Sequence, residues 1–210
     1  MDLTRSERFP LRRREVAGAL LADRGDMLVV AGLGSTAWDI TAAGDHPLNL
    51  PLWGAMGGAA AIGLGLALAQ PERRVLVITG DGDMLMGLGS LATIAVQRPS
   101  NLAIVVFDNE RYGETGMQPT HTAHGVDLAA MARAAGIALT GTVHDQAALE
   151  AALPTVRAAP GPVFYTIKVR AERLPFSLPP KDGAYLKDRF RNALPRSRAD
   201  DAASRREQAE

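Results

Sequence analysis

The 210-residue chain has no cysteine. Disulfides, thiolate metal sites and cysteine-held iron–sulfur clusters are therefore excluded. It also has no net charge, because 23 basic residues balance 23 acidic ones. That argues against a nucleic-acid surface or an anionic membrane surface as the partner. No apolar run reaches the roughly 18 residues of a membrane span. The opening segment MDLTRSERFPLRRR has no signal-peptide apolar core, so the cytoplasm is the expected location. What remains is an ordinary globular composition, 47% apolar and 22% charged, in a length that suits one domain with an ample core.

Apolar runs alternate with helical segments along the chain. Residues 1–11 read as a polar, loose terminus. Residues 12–24 read as a helix with Val16, Ala19 and Leu20 on one face. Met27–Ala31 reads as a strand and Gly32-Leu33-Gly34-Ser35 as a turn, with Ser35 capping a helix to about Ala43. Residues 44–53 read as a loop, and the small residues Gly57–Ala69 as a tightly packed helix. Strand 75–78, helix 84–97, strand 102–107 and a polar loop over 109–125 follow. Then come helix 127–135, a weak strand at 137–139, a helix capped by Asp145, and a strand within 162–168. Continuous apolar strands separated by helices predict an α/β fold, a parallel sheet covered on both faces. The domain is expected over 12–172. Residues 173–210 form a Pro-rich and charged tail, with one short helix over 182–194 and disorder beyond it.

The stretch 80–109 carries the chemistry. It opens with Gly80-Asp81-Gly82 after the run Val75-Leu76-Val77-Ile78, and it ends with Asp108-Asn109 after the run Leu102–Phe107. Between Gly82 and Asn109 lie 26 residues. Each end reads as a tight turn at the tip of a buried strand. If the strands are parallel neighbours, both tips lie at the carboxyl edge of one sheet, where such sheets bind ligands. There an Asp carboxylate and an Asn amide oxygen can converge on one hard cation. The flanking glycines let backbone N–H groups approach a phosphate. The pair suits a Mg²⁺-bridged diphosphate. A bare GDG is also an ordinary turn, so the strand lead-ins and the spacing carry the argument.

This pattern resembles the diphosphate-binding motif of thiamine diphosphate (ThDP) enzymes: GDG, a spacer, then Asn. A second motif strengthens it. Gly54-Ala55-Met56-Gly57 precedes the small-residue helix, and Met56 stands 25 residues before Asp81. The loop D-N-x-x-Y-G-x-T-G-x-Q-P-T, from Asp108 to Thr120, is similar to the β subunit, or carboxyl-terminal ThDP domain, of sulfopyruvate and phosphonopyruvate decarboxylases. The runs GAMGGAAAIGLGLALA and MLMGLGSLATIA support the same family, and the resemblance spans about residues 12–170.

The resemblance implies roles. Met56 would hold the cofactor in its bent shape, and the Gly54 carbonyl would accept from the 4′-amino group. Met56 has a plainer reading as a core side chain. Asp81, Asn109 and the carbonyl of Arg111 would ligate Mg²⁺. Gly80, Gly82, Asp83, Tyr112 and Gly113 complete the expected cofactor-binding set. Asp83 departs from the Ser or Ala of many relatives, and its carboxylate is expected to point away from phosphate or to cap the next helix. His121, His124, Arg111, Thr115 and Gln118 are candidates for an anionic 2-oxo acid substrate, with His121 able to move a proton. Gln118 and Thr115 have a second reading, as residues that order the loop.

The activating Glu of this family belongs to a second, pyrimidine-binding domain for which the chain has no room. The resemblance therefore implies a β subunit that works with an α subunit carrying that Glu, in an α₂β₂ or larger assembly. It also implies a decarboxylase that releases CO₂ and an aldehyde. Three alternatives stay open: the β subunit of a 2-oxoacid:ferredoxin oxidoreductase, a carboligating relative, and a non-catalytic ThDP-binding scaffold. The absence of cysteine counts against the first.

Overall fold

The computed structural model describes residues 3–194. In chain order its strands are β1 (Leu28–Ala31), β2 (Asn49–Pro51), β3 (Val75–Gly80), β4 (Leu102–Asp108), β5 (Arg111–Tyr112), β6 (Gln118–Pro119), β7 (Leu139–Val143) and β8 (Val163–Lys168). Its α-helices are α1 (Arg13–Leu21), α2 (Ser35–Ala43), α3 (Ala59–Ala69), α4 (Asp81–Met86), α5 (Gly89–Gln97), α6 (Leu128–Ala135), α7 (Gln146–Ala158) and α8 (Gly183–Ala193). Six strands form one sheet in the order β2-β1-β3-β4-β8-β7, and every pairing in it is parallel. The expected α/β fold is present. β5 and β6 make a separate antiparallel pair within the loop after β4.

The apolar runs are strands because the sheet is sealed on both faces. All seven residues of β4 are buried. Alternate side chains serve opposite layers. Val29, Leu76, Ile78, Val105 and Phe107 pack under α1, α2 and α7. Val30, Val77, Ile104 and Val106 pack under α3, α5, α6 and α8. The small residues of α3 permit close approach to the sheet. A Cβ on Gly63 would stand 2.1 Å from Val77 Cγ2, so glycine sets the distance between α3 and β3.

The chain leaves β1 toward β2 and then crosses to β3 on the other side, so the order of connection reverses between β1 and β3. At such a point the loops diverge and open a crevice at the carboxyl ends of the strands. The register pairs Gly80 with Phe107, which puts Asp81 and Asp108 at the same level on adjacent tips.

Several local expectations change. Residues 44–53 are not all loop, because Asn49–Pro51 adds an edge strand. The helix expected over 84–97 begins at Asp81 and is broken by Gly87-Leu88. Ser35 does not cap α2: Gly34 holds the cap position, and Ser35 is the first helical residue. The weak strand lies at 139–143 rather than 137–139. Asp127, Asp145 and Asp182 each cap the helix that follows, through side-chain oxygens that accept backbone N–H groups.

The described part of the amino-terminal segment, residues 3–11, is not loose. Ser6 is fully buried and its carbonyl accepts from Ala171 N–H, while the Leu11 carbonyl accepts from Arg170 N–H. Arg5 pairs with Glu110 at 2.7 Å. Residues 173–194 also pack on the domain. Trp38 meets Phe176 edge-on, Trp53 Nε1 donates to the Pro180 carbonyl, and α8 buries Leu186 and Phe190. The charged end expected to be disordered, residues 196–210, lies outside the described residues. No described helix is long and apolar enough to cross a membrane.

Candidate active site

A cleft lies over the β1/β3 reversal. The turn after β1 brings Leu33, Ser35 and Thr36 to it, the start of α4 brings Gly80–Asp83, and the loop after β4 brings Asn109 and Arg111–Thr115. Two residues distant in sequence, Asp81 and Asn109, thus share one cavity. Met56 lines it as well.

Asp81 is 2% exposed, and no basic side chain pairs with it among the described residues. Thr120 Oγ1 donates to its Oδ2 at 2.5 Å, and Thr122 Oγ1 lies 3.1 Å from the same oxygen. Burial first, and the nearby Asp108 carboxylate second, push the Asp81 carboxyl up to about 8. A buried carboxylate beside another one calls for a cation. The Asp108 charge is met by Lys168 at 2.7 Å, and Lys168 also reaches Glu110 at 3.1 Å. Burial opposes ionisation of Glu110, but the bonds from Arg5 and Lys168 outweigh it and hold its carboxyl below the ordinary range.

Asn109 Oδ1 accepts the Arg111 N–H at 2.9 Å, and an amide oxygen keeps a second lone pair. The hairpin bonds beside Arg111 use the carbonyls of Glu110 and Tyr112, which accept from Thr120 and Met117. The Arg111 carbonyl lies outside those bonds. Two side-chain oxygens and one carbonyl are a donor set for Mg²⁺, which keeps waters and phosphate oxygens in its shell. No cluster of three His, Cys, Asp or Glu side chains among the described residues offers an all-protein cage. The phosphate side fits too. Gly82 is packed under Tyr112, where a Cβ would come within 2.5 Å of the ring. Gly82 and Tyr112 both line the cleft.

Met56 is 39% exposed at the cleft. Its reading as a core side chain does not hold. Asp83 lines the cleft but does not cap a helix. It sits in the first turn of α4, and its carboxylate accepts the Gly57 N–H and the Thr79 hydroxyl. A Cβ on Gly32 would collide with Asp83 Oδ2 at 2.3 Å, so the glycine after β1 makes room for this tether. Asp83 thereby ties the Gly54–Gly57 turn to the GDG turn.

Other candidates are not brought together. Gly54, Gln118, His121 and His124 are exposed and do not line the cleft. Thr115 Oγ1 donates to Gln118 Oε1 at 2.8 Å, which orders the hairpin turn. The Arg111 guanidinium is not available to a substrate, because it donates to the carbonyls of Glu110 and Leu3. Its place is taken by a residue the sequence did not single out. Arg13 lines the cleft, donating to Asp39 at 2.8 Å and to the Glu172 carbonyl at 3.0 Å. Ser35, Thr36 and Glu114 were also missed. The pattern Gly-x-Gly-Ser directly after a buried strand, opening a helix, was the signal for the first two. Glu114 stands beside Gly34 and the Ser35 amide.

Residues 33–167 match the family described as thiamine pyrophosphate enzyme, C-terminal TPP binding domain. The chain is 41% identical over 160 residues to the sulfopyruvate decarboxylase subunit beta of Methanothermobacter thermautotrophicus, covering 76% of this chain and 83% of that one. It is 39% identical over 145 residues to the phosphonopyruvate decarboxylase of Streptomyces viridochromogenes, covering 69% of this chain but only 36% of that longer protein. Among solved structures, a thiamin diphosphate-dependent enzyme from Mycobacterium smegmatis superposes with a TM-score of 0.67 at 25% identity. That match covers 78% of this chain and 32% of the other.

Proposed function

The chain belongs to the thiamine pyrophosphate enzymes that share the C-terminal TPP-binding domain, and from that membership we propose that it is the β subunit of a Mg²⁺- and ThDP-dependent 2-oxo acid decarboxylase. The observation that carries the reading is the meeting of Asp81 and Asn109 in one cleft with Met56. In this reading Asp81, Asn109 and the Arg111 carbonyl hold Mg²⁺ against the diphosphate. The backbone of Gly80, Gly82, Asp83, Tyr112 and Gly113 receives phosphate oxygens, and Met56 supports the rings, with the Gly54 carbonyl beside them. Bound ThDP supplies a carbon nucleophile for the 2-oxo group and an electron sink for the loss of CO₂. The chain anchors the cofactor, shapes it and keeps water from it. Arg13, which also lines the cleft, is held there by its ion pair with Asp39. Thr115, in the hairpin after β4, also lines the cleft, whereas Gln118 and His121 lie exposed outside it and take no proposed role.

Half of the site lies elsewhere. The longer phosphonopyruvate decarboxylase is matched over about a third of its length, and the more similar archaeal relative is named as a subunit. An α subunit in an α₂β₂ or larger cytoplasmic assembly supplies the remaining domain and the activating Glu. The test is to express the chain with and without the product of the adjacent gene and to follow CO₂ release from sulfopyruvate and phosphonopyruvate. Activity is expected only for the pair, only with ThDP and Mg²⁺. Full activity of the chain alone, or none from the pair with either substrate, contradicts the proposal.

A further inference from the structure

Two buried carboxylates face each other across one hydroxyl. Thr122 Oγ1 lies 2.7 Å from Asp108 Oδ1 and 3.1 Å from Asp81 Oδ2. Thr120 Oγ1 donates to that same Asp81 oxygen at 2.5 Å and lies 2.9 Å from Thr122 Oγ1. The two threonines are 1% and 0% exposed. Their backbone is fixed as well. Thr120 N–H donates to the Glu110 carbonyl at 3.0 Å, and Thr122 sits in a short 3₁₀ turn over His121–His124. Behind them, Lys168 Nζ holds the second oxygen of Asp108 at 2.7 Å. A strut therefore runs from β8 through Asp108 and Thr122 to Asp81. Every side-chain bond that restrains the Asp81 carboxylate falls on Oδ2. Oδ1 takes no hydrogen bond from a side chain among the described residues.

We infer that Thr120 and Thr122 are positioning residues for the metal-binding carboxylate. They fix the Asp81 side chain so that Oδ1 faces the ion, and Thr122 sets the spacing between the β3 and β4 tips by bridging Asp81 to Asp108. The inference rests on the reading of Asp81 as a metal ligand. Neither threonine lines the cleft. Mg²⁺ demands near-ideal octahedral geometry, whereas Ca²⁺ accepts a looser shell. Loss of positioning should therefore weaken Mg²⁺ more than Ca²⁺, while a loss of general stability would weaken both alike.

The experiment titrates Mg²⁺ and Ca²⁺ by calorimetry, at saturating ThDP, into the full chain in the assembly with which it is isolated. Thr122→Val and Thr120→Val are near in shape to threonine and remove the hydroxyl. Each is expected to lower Mg²⁺ affinity about 10–100-fold, the usual effect of losing a residue that orients a ligand, with a smaller loss for Ca²⁺. Thr122→Ser, which keeps the hydroxyl, is expected to restore Mg²⁺ affinity. Wild-type Mg²⁺ affinity in either valine variant, equal losses for both ions, or a serine variant as weak as valine overturns the inference. If Thr122→Val does not fold, Thr120→Val decides, because it leaves the Thr122–Asp108 pair intact. A wild-type protein that binds no Mg²⁺ with ThDP overturns the reading of Asp81 itself, and this inference with it.

Discussion

Replacing Asp83 by Ala removes an acceptor, and its cost can be worked from two bonds. The Asp83 carboxylate is 6% exposed and accepts the Gly57 N–H on one oxygen and the Thr79 hydroxyl on the other. Alanine leaves the buried Thr79 hydroxyl and the half-buried Gly57 N–H without this partner. An unsatisfied buried donor costs about 1–3 kcal/mol, so the pair gives about 2–6 kcal/mol. For a domain of this size that lowers the melting temperature by about 4–24 °C. Asp83→Asn should lose less, because its amide oxygen keeps one donor while its NH₂ confronts the other. The loss is not confined to stability. Gly57 closes the turn that carries Met56, so freeing its N–H should also weaken ThDP binding. Thermal denaturation followed by circular dichroism reads the first effect, and calorimetric titration with ThDP and Mg²⁺ the second. A melting temperature within about 2 °C of wild type, less than one kcal/mol on this scale, would refute the tether. A large drop in stability with unchanged ThDP affinity would refute its role in holding the turn.

Other outcomes follow from the same structure. The Asp81 carboxyl is raised from 3.8 to about 8 in the metal-free fold, so the native state holds a proton that the unfolded chain gives up. Stability of the metal-free protein should then fall as pH rises from about 4 to about 8, and Asp81→Asn should remove that part of the slope in urea titrations at pH 5 and pH 8. An unchanged slope contradicts the burial argument. Gly63→Ala places a Cβ 2.1 Å from Val77 Cγ2, and such overpacking costs about 1–3 kcal/mol, read as a lower urea midpoint. Glu114→Ala takes a carboxylate away from the start of α2, where an anion is worth about 0.3–1 kcal/mol. Affinity for ThDP should rise by about two- to fivefold, and a loss of affinity would show that Glu114 helps rather than competes.

The parallel sheet and the two tips were legible because fully buried strands leave an unbroken apolar record. Val75–Ile78 and Leu102–Phe107 have no other place to go, and the turns after them inherit their position. The strand Asn49–Pro51 left no such record. It is three residues long, polar at one end, and lies at the sheet edge, where a proline is tolerated. The break at Gly87 was hidden inside an apolar periodicity. Its cause is tertiary: a Cβ there would stand 2.1 Å from the Gly57 carbonyl oxygen. Arg12–Arg14 were legible only as the start of the helix expected over 12–24. Yet Arg13 is buried by its pairing with Asp39, 26 residues later, and no local pattern encodes that partner. Met56 and Asp83 show the same division. Spacing located them, but only the fold distinguishes the residue that faces the cleft from the one that braces it.

The central claim is that the Asp81 and Asn109 tips clasp one divalent ion. The most direct measurement is anomalous diffraction from crystals of the assembly grown with ThDP and Mn²⁺ in place of Mg²⁺. The account predicts a single strong peak in the cleft between Asp81 Oδ1 and Asn109 Oδ1, absent from Asp81→Ala crystals. A peak bound elsewhere, or a cleft without one at saturating Mn²⁺ and ThDP, contradicts it.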